Sequence, residues 1–312
     1  GMGYRLLICR PVLGLSAFVL LSLCLSPRGP AYAQAISGTY TGNGTSQTIQ
    51  GLAFQPAVVI IKGNVTQTAV MRTSSMTGTK PLDGATALTA GMIESLNADG
   101  FSVGSHAAVN QSGIAYYWTA FPAAAGDLAV GSYGGTGGAQ SIGVGFQPAY
   151  VILMSAGANW TVHTSSDMLA DQTMQYDDLT GFVSNVITQV TGTGFNVGTD
   201  ARANASGTTY HYVAWRAVAG KMAVGKYVGG TPSDNRDIPV GFAPEYVIVK
   251  RGNTTKGVHR PKSLGAGDIA TLEIMAFVNL GADRIQDLTS TGFQVGANNT
   301  VNSTSDYFWA AF

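Results

Sequence analysis

Cysteine, charge and histidine are all scarce in this chain. The 2 cysteines, Cys9 and Cys24, both stand before residue 33, so the rest of the sequence has no thiol for catalysis, zinc binding or disulfide stapling. Charged residues make up 11% of the 312, where about a quarter is usual for soluble domains. With 17 basic and 17 acidic side chains the formal charge is zero, which leaves no basic footprint for nucleic acid. The hydrophobic share of 45% excludes a disordered chain, and 41 glycines without a three-residue period exclude collagen. No Gly-x-Ser-x-Gly elbow, His-Glu-x-x-His helix or complete Gly-x-x-x-x-Gly-Lys-Ser/Thr loop occurs. The sequence therefore predicts no enzyme activity, no cofactor and no metal.

What is present begins with a leader. Arg5 and Arg10 precede an apolar run from Val12 to Leu25, a break over Pro27 to Pro30, and Ala31-Tyr32-Ala33. This order of basic end, apolar middle and small residues reads as a secretory signal peptide over residues 1–33, cleaved before Gln34. The apolar run is shorter than the roughly 20 residues of a membrane span, so no transmembrane anchor is expected after cleavage. A secreted, extracellular or cell-surface location follows, by a bacterial export route. Without the leader the chain carries 14 basic and 17 acidic residues, a net charge of −3.

Self-comparison then divides the remainder. Phe54-Gln55-Pro56-Ala57-Val58-Val59-Ile60 returns at Phe146 to Ile152 and at Phe242 to Ile248, offsets of 92 and 96. Gly100-Phe101-Ser102-Val103-Gly104 returns at Gly194 to Gly198 and at Gly292 to Gly296, offsets of 94 and 98. Two independent anchors thus give one period, and it is the length of a small domain rather than of a solenoid repeat. The predicted organisation is three tandem repeats of about 94 residues, at 34–129, 130–223 and 224–312. Within each, short β-branched and aromatic runs separated by Gly, Asn, Ser and Pro predict six or seven antiparallel strands. The fold class is therefore all-β, with β-sandwich or jelly-roll-like repeats. Segments Pro81 to Leu96 and Asp177 to Val190 could each hold a helical turn.

The recurring Phe-x-Pro-x-x-Val-Ile, then Gly-Phe-x-Val-Gly, then Asn-x-Ser-Gly before Tyr and, in the second copy, Ala214-Trp215, resembles a β-rich domain of phage tail-associated and secreted bacterial repeat proteins. The second repeat matches best, through Phe195, Val197, Gly198, Asn204, Gly207, Tyr210, Ala214 and Trp215. The chain departs from that pattern after the proline, where Ala57, Ala149 and Glu245 replace an Asp, and it lacks a Trp before Ile-Lys. The resemblance implies a surface-displayed module facing a host or a glycan, and it carries no catalytic residue across.

Candidate binding residues follow from position and type. Aligning Thr73-Ser74-Ser75 with Thr164-Ser165-Ser166 sets Arg72 against His163, with His259 and Arg260 near the same place, a recurring cation that could meet an anion or sugar acid. The alternative is a strand-end residue held by a loop. Trp118, Tyr212 and Trp309 recur on one strand face and Phe121, Trp215 and Phe312 on the other, which predicts core. Trp160 stands outside that scheme and is the candidate to stack on a sugar. Asp177-Asp178 reads as a solvated acidic pair, although two carboxylates facing one another would suit glycoside hydrolysis.

Residues 36–129 hold 3 basic and 4 acidic side chains, residues 130–223 hold 3 and 5, and residues 224–312 hold 8 and 8. Lys250, Arg251, Lys256, Arg260 and Lys262 fall close together, so the third repeat is expected to present a charged face while the first two face neighbours. The function predicted is a secreted, non-catalytic structural or interaction protein that self-associates at a surface, in a matrix or in a filament. A module binding glycans or a receptor is the alternative, and a glycan-active enzyme the third reading.

Overall fold

The computed structural model describes residues 34–84, 86–230, 235–268, 272–273 and 281–312. The predicted leader, residues 1–33, lies outside them. Runs of Val, Ile, Thr and aromatics, cut by Gly, Asn and Pro, form antiparallel strands almost throughout.

The first eight strands are β1 (Ile36–Thr41), β2 (Gln47–Gln50), β3 (Pro56–Gly63), β4 (Val70–Thr73), β5 (Lys80–Pro81), β6 (Ile93–Asn97), β7 (Gly100–Val103) and β8 (Ala115–Pro122). They make a five-stranded sheet ordered β1-β8-β3-β4-β5 and a three-stranded sheet ordered β2-β7-β6. The second set is β9 (Leu128–Gly134), β10 (Gln140–Gly143), β11 (Tyr150–Ser155), β12 (Val162–Ser165), β13 (Met174–Gln175), β14 (Ile187–Thr191), β15 (Gly194–Val197) and β16 (Thr209–Trp215). Its sheets run β9-β16-β11-β12-β13 and β10-β15-β14. The third is β17 (Ala223–Val228), β18 (Arg236–Pro239), β19 (Tyr246–Arg251), β20 (Val258–Pro261), β21 (Leu272–Glu273), β22 (Ile285–Leu288), β23 (Gly292–Val295) and β24 (Asp306–Ala311). Its sheets run β17-β24-β19-β20-β21 and β18-β23-β22.

Two single helical turns, α1 (Ala107–Asn110) and α2 (Ala201–Asn204), follow β7 and β15. They form there because His106 and Asp200 are N-caps, accepting the amides of Ala108 and Arg202 at 3.0 and 2.8 Å. The described residues of the two segments expected to hold helical turns form bridges and strands instead. Thr79 pairs with Thr89 and Thr173 with Val183, and β6 and β14 occupy the distal ends. Each segment does hold a cap-like bond, Thr86 N–H to Asp83 Oδ1 at 3.0 Å and Thr180 N–H to Asp177 Oδ1 at 3.3 Å, but there it closes a turn that no helix continues.

Alternation along the strands assigns each residue to one of two cores. In β3, Val59 and Ile61 face the three-stranded sheet and pack with Ile93, Phe101 and Val103, while Val58 and Ile60 face the opposite way. The same split separates Val151 and Leu153 from Tyr150 and Ile152, and Val247 and Val249 from Tyr246 and Ile248. All of the second group join one core built from all three five-stranded sheets, and β3, β11 and β19 up to Lys250 are buried throughout. A sheet covered on both faces needs a continuous apolar run, which is why these strands do not alternate with polar residues.

At the centre, the rings of Phe121, Trp215 and Phe312 touch pairwise. Their centroids lie 5.3 Å (Phe121–Trp215), 5.1 Å (Phe121–Phe312) and 5.0 Å (Trp215–Phe312) apart, in edge-to-face or tilted arrangements. Each such pair is worth about 0.5–1.5 kcal/mol beyond the area it buries.

The seams between sets close into a ring. Leu88 N–H and Lys80 Nζ donate to Ala156 and Gly157 carbonyls at 3.0 and 2.9 Å, joining the first set to the second. Gly257 N–H donates to Tyr176 O at 2.8 Å and Phe182 packs edge-on to Phe308, joining the second to the third. Ser37 donates through N–H and Oγ to Glu245 Oε1 at 3.0 and 2.6 Å, joining the third to the first. The described residues from Gln34 to Phe312 accordingly form one compact unit. No helix among the described residues is long and apolar enough to cross a membrane.

Removing the central ring by Phe121→Ala should cost about 3–5 kcal/mol, as deletion of a buried aromatic does. Calorimetry is expected to show one cooperative transition that moves as a whole; three independent transitions, only one of them shifted, would contradict a shared core.

Candidate ligand cleft

Strand register re-sorts the cations singled out in the sequence. Ile60 pairs with Met71, Ile152 with His163 and Ile248 with His259, while Val59, Val151 and Val247 pair with Arg72, Thr164 and Arg260. Arg72 therefore corresponds to Arg260 and not to His163, and the expected recurring cation is two different positions on opposite faces. The mismatch arose because the Thr-Ser-Ser strings lie one residue out of register with the strands. Arg72 Nη1 donates to Ile93 O at 2.7 Å and Arg260 Nη1 to Ile285 O at 2.9 Å, each tying a five-stranded sheet to its three-stranded partner. Arg260 is fully buried, with further bonds to the Gly265 and Gly267 carbonyls at 2.8 Å.

The histidines lie in the shared core. His163 Nδ1 is 3.2 Å from Tyr150 OH, its ring stacks on Tyr176 at 4.3 Å, and the two tyrosine hydroxyls are 2.7 Å apart. His259 Nδ1 is 2.6 Å from Tyr246 OH. Nε2 of each histidine is buried without a hydrogen-bond partner. Burial, reinforced by the Lys250 charge, holds His163 well below the usual histidine range. Burial, reinforced by Lys62, pushes His259 down to about 3. Both rings are neutral and enclosed, so neither meets a ligand from solvent.

Nor do the clustered cations make a face. Lys250 is buried and donates to the Arg251 and Asn253 carbonyls at 2.9 and 2.6 Å; burial is the first cause that lowers it to about 8. Lys256 pairs with Asp178 at 3.7 Å across the second seam. Lys262 is well exposed and lies 3.8 Å from Glu245. Asp177, expected in solvent beside Asp178, is buried; its carboxylate accepts from Gln175 Nε2 at 2.8 Å and Thr180 Oγ1 at 3.0 Å.

Trp160 is placed otherwise. Among the four tryptophans, Trp118, Trp215 and Trp309 are buried, while Trp160 is half-buried. Part of its ring covers Gly84 of the first set, where a Cβ would come within 2.0 Å of the indole. Lys256 stands at the matching place two residues before Val258, and its partner Asp178 matches Gly84, so two of the three seams use one position with different chemistry.

Trp160 also lines a cleft of about 350 Å³ with Asn159, Leu179, Thr180, Asp200 and Arg202, and Gln175 and Asp177 lie at its floor. One polar chain runs through it. Arg202 grips Asp200 by Nε to Oδ1 at 2.8 Å and Nη2 to Oδ2 at 2.7 Å, and reaches Gln175 Oε1 by Nη1 at 2.7 Å. Gln175 passes the chain to Asp177, and Asn159 Nδ2 closes the far side on Ala201 O at 3.0 Å. Arg202 holds the Asp200 carboxyl below its ordinary range, so Asp200 is an anion with its charge answered. Leu179 is 69% exposed at the rim. The result is an aromatic wall, an apolar rim and fixed planar polar groups, which suits binding. Among the described residues no group of His, Cys, Asp and Glu could hold a metal.

The match to known families spans all three sets. Residues 31–312 match the domain of unknown function DUF7483 in a single stretch. The chain belongs to the DUF7483 family. No curated protein matches it. In this DUF7483 chain the polar half of the cleft escaped the sequence reading because Asp200 and Arg202 resemble an ordinary loop pair. The available signal was position: His106 caps the same turn in the first set, so a charged pair there is particular to the second. The spacing Gly220 to Gly225-Lys226 imitates a phosphate loop, but Gly225 and Lys226 lie within β17 and Tyr227 follows.

The enclosed histidines make stability pH-dependent. Their pKa is depressed in the folded state, so the unfolded chain binds more protons as the pH falls below about 6.5, and stability declines from there toward pH 3. Replacing His163 or His259 by Met, the residue at the matching position 71, should remove up to about 1.4 kcal/mol per pH unit from that slope in denaturant titrations. An unchanged slope would place the acid sensitivity elsewhere. Separately, Gly84→Ala should displace Trp160, shifting its fluorescence and costing about 1–3 kcal/mol. Retention of the wild-type emission would mean the indole does not rest on Gly84.

Proposed function

We propose that this DUF7483 chain is an exported, non-catalytic recognition protein that binds a surface glycan or glycan-bearing receptor through the Trp160 cleft. It is read as three tandem repeats of one β-sandwich, 34–129, 130–223 and 224–312, with the leader removed on export. The recurring strand order supports the repeats, as do β9 opening at Leu128 and β17 at Ala223. The observation that carries the function is the cleft itself, in which a half-exposed indole faces planar hydrogen-bonding groups already locked to one another.

Filament assembly through sheet edges has less support. Glu245 takes the Ser37 amide of β1, and Ser75 Oγ, which meets His211 Nδ1 at 2.9 Å, donates to the Gly131 carbonyl of β9 at 3.2 Å. Two edges that would template another chain are thus engaged by side chains from a neighbouring set. Hydrolysis would use Asp177 and Asp200, which line the same cleft, but both carboxylates are engaged by fixed donors.

An immobilised glycan array is the test. Binding is expected, with at least a tenfold loss in Trp160→Ala and no release of reducing sugar. An array without signal, or binding indifferent to Trp160, would overturn the reading.

A further inference from the structure

The geometry points to a neutral sugar residue as the ligand of the Trp160 cleft, held at one site per chain, with uronates and sialates rejected. This rests on the recognition function proposed above and adds the chemical class and the valency.

The size comes first. About 350 Å³ lies near the lower end of small-molecule sites, so the cleft suits one or two rings and no long chain segment. Its walls differ in character. The indole of Trp160 and the exposed Leu179 offer an apolar surface on which the C–H face of a pyranose can lie. Lining the same cleft, Arg202 uses three guanidinium N–H groups on Asp200 and Gln175, leaving two of its five to donate to a ring hydroxyl. Carboxylate oxygens of Asp200 and the side chain of Asn159 add acceptors and donors at fixed positions. Hydroxyl groups both donate and accept, so a neutral sugar fits such a mixed rim.

Charge decides against acids. The two carboxylates of the cleft, Asp177 and Asp200, are already answered, Asp177 by the charge of buried Lys250 and Asp200 by the bidentate Arg202 guanidinium, so no uncommitted cation faces a ligand. A ligand carboxylate would have to displace the Asp200–Arg202 pair or stay uncompensated in a partly desolvated site. The cations that the sequence offered for a sugar acid do not enter the cleft, because Arg72 and Arg260 tie sheets together and Lys256 serves a seam.

Valency follows from the other sets. Thr68 and Lys256 stand where Trp160 does, His106 stands where Asp200 does, and Ala108 stands where Arg202 does. Among the described residues the combination occurs once. Neighbours also hold it in shape: Gly84 of the first set backs Trp160, and Phe308 of the third braces Phe182 beyond Thr180.

The test is a tryptophan-fluorescence titration of the purified protein with cellotriose, mannotriose, N-acetylchitotriose, trigalacturonate and sialyllactose, with calorimetry for stoichiometry. At least one neutral oligosaccharide should bind with one site per chain, and both acidic ones should bind at least tenfold more weakly. Leu179→Lys changes an exposed rim residue and should narrow or reverse that preference several-fold without altering thermal stability. Acidic sugars that bind as tightly as neutral ones, in a Trp160-dependent way, would overturn the inference and leave the recognition function standing. Stoichiometry near three would also overturn it. If no sugar on the array or in the titration elicits a response, the recognition function falls as well.

Discussion

Everything in this protein depends on the inner strands of three five-stranded sheets being buried on both faces. Each has one face against its own three-stranded sheet and the other against the remaining two, where Phe121, Trp215 and Phe312 meet. Small domains of fewer than a hundred residues bury a modest fraction of their surface and are marginal alone. Sharing the second face offsets that limit without a disulfide. It also governs the cations these sheets do carry, since Arg72, Lys80, Lys250 and Arg260 donate to backbone carbonyls.

The same constraint produces the buried polar groups. Lys80 reaches across the first seam to Gly157 O, and burial, partly opposed by Asp83, lowers it to about 8. Lys250 bonds the carbonyls of its own loop beside the second seam. Such groups add little net stability, because desolvation cancels most of what their bonds return. Their value lies in register, since each fixes which loop carbonyl meets which strand. Trp160 on Gly84 and Lys256 on Asp178 do the same with apolar and ionic contacts at one repeated place.

The cleft is a by-product of those seams. Its Trp160 wall rests on the first set and its 178–182 side on the third, while Asp200 and Arg202 come from the capped turn α2. Groups held this way lose little conformational entropy when a ligand arrives, which is the advantage of preorganisation. An aromatic side chain and planar polar groups with access to solvent are thus held in place by the same contacts that hold the three sets together.

Much of the strand framework was legible in the sequence, because Phe-x-Pro-x-x-Val-Ile and Gly-Phe-x-Val-Gly fix strands and turns locally and recur. So was the two-faced alternation of Tyr116-Tyr117-Trp118 and its counterparts, since side chains on a strand point alternately whatever lies beyond. The eighth strand of each set was missed because β5, β13 and β21 are two residues long and exist only by pairing with their neighbours. Arg72 and His163 were set side by side because similar strings were aligned one residue out of register, and a single-residue shift changes the face. Sequence by itself determined the strands and their faces, both of which are local. Only the tertiary structure decided that the second faces meet in one core, that Lys250 and Arg260 are enclosed, and that Trp160 and Arg202 share a cleft, because each depends on contacts between residues far apart along the chain.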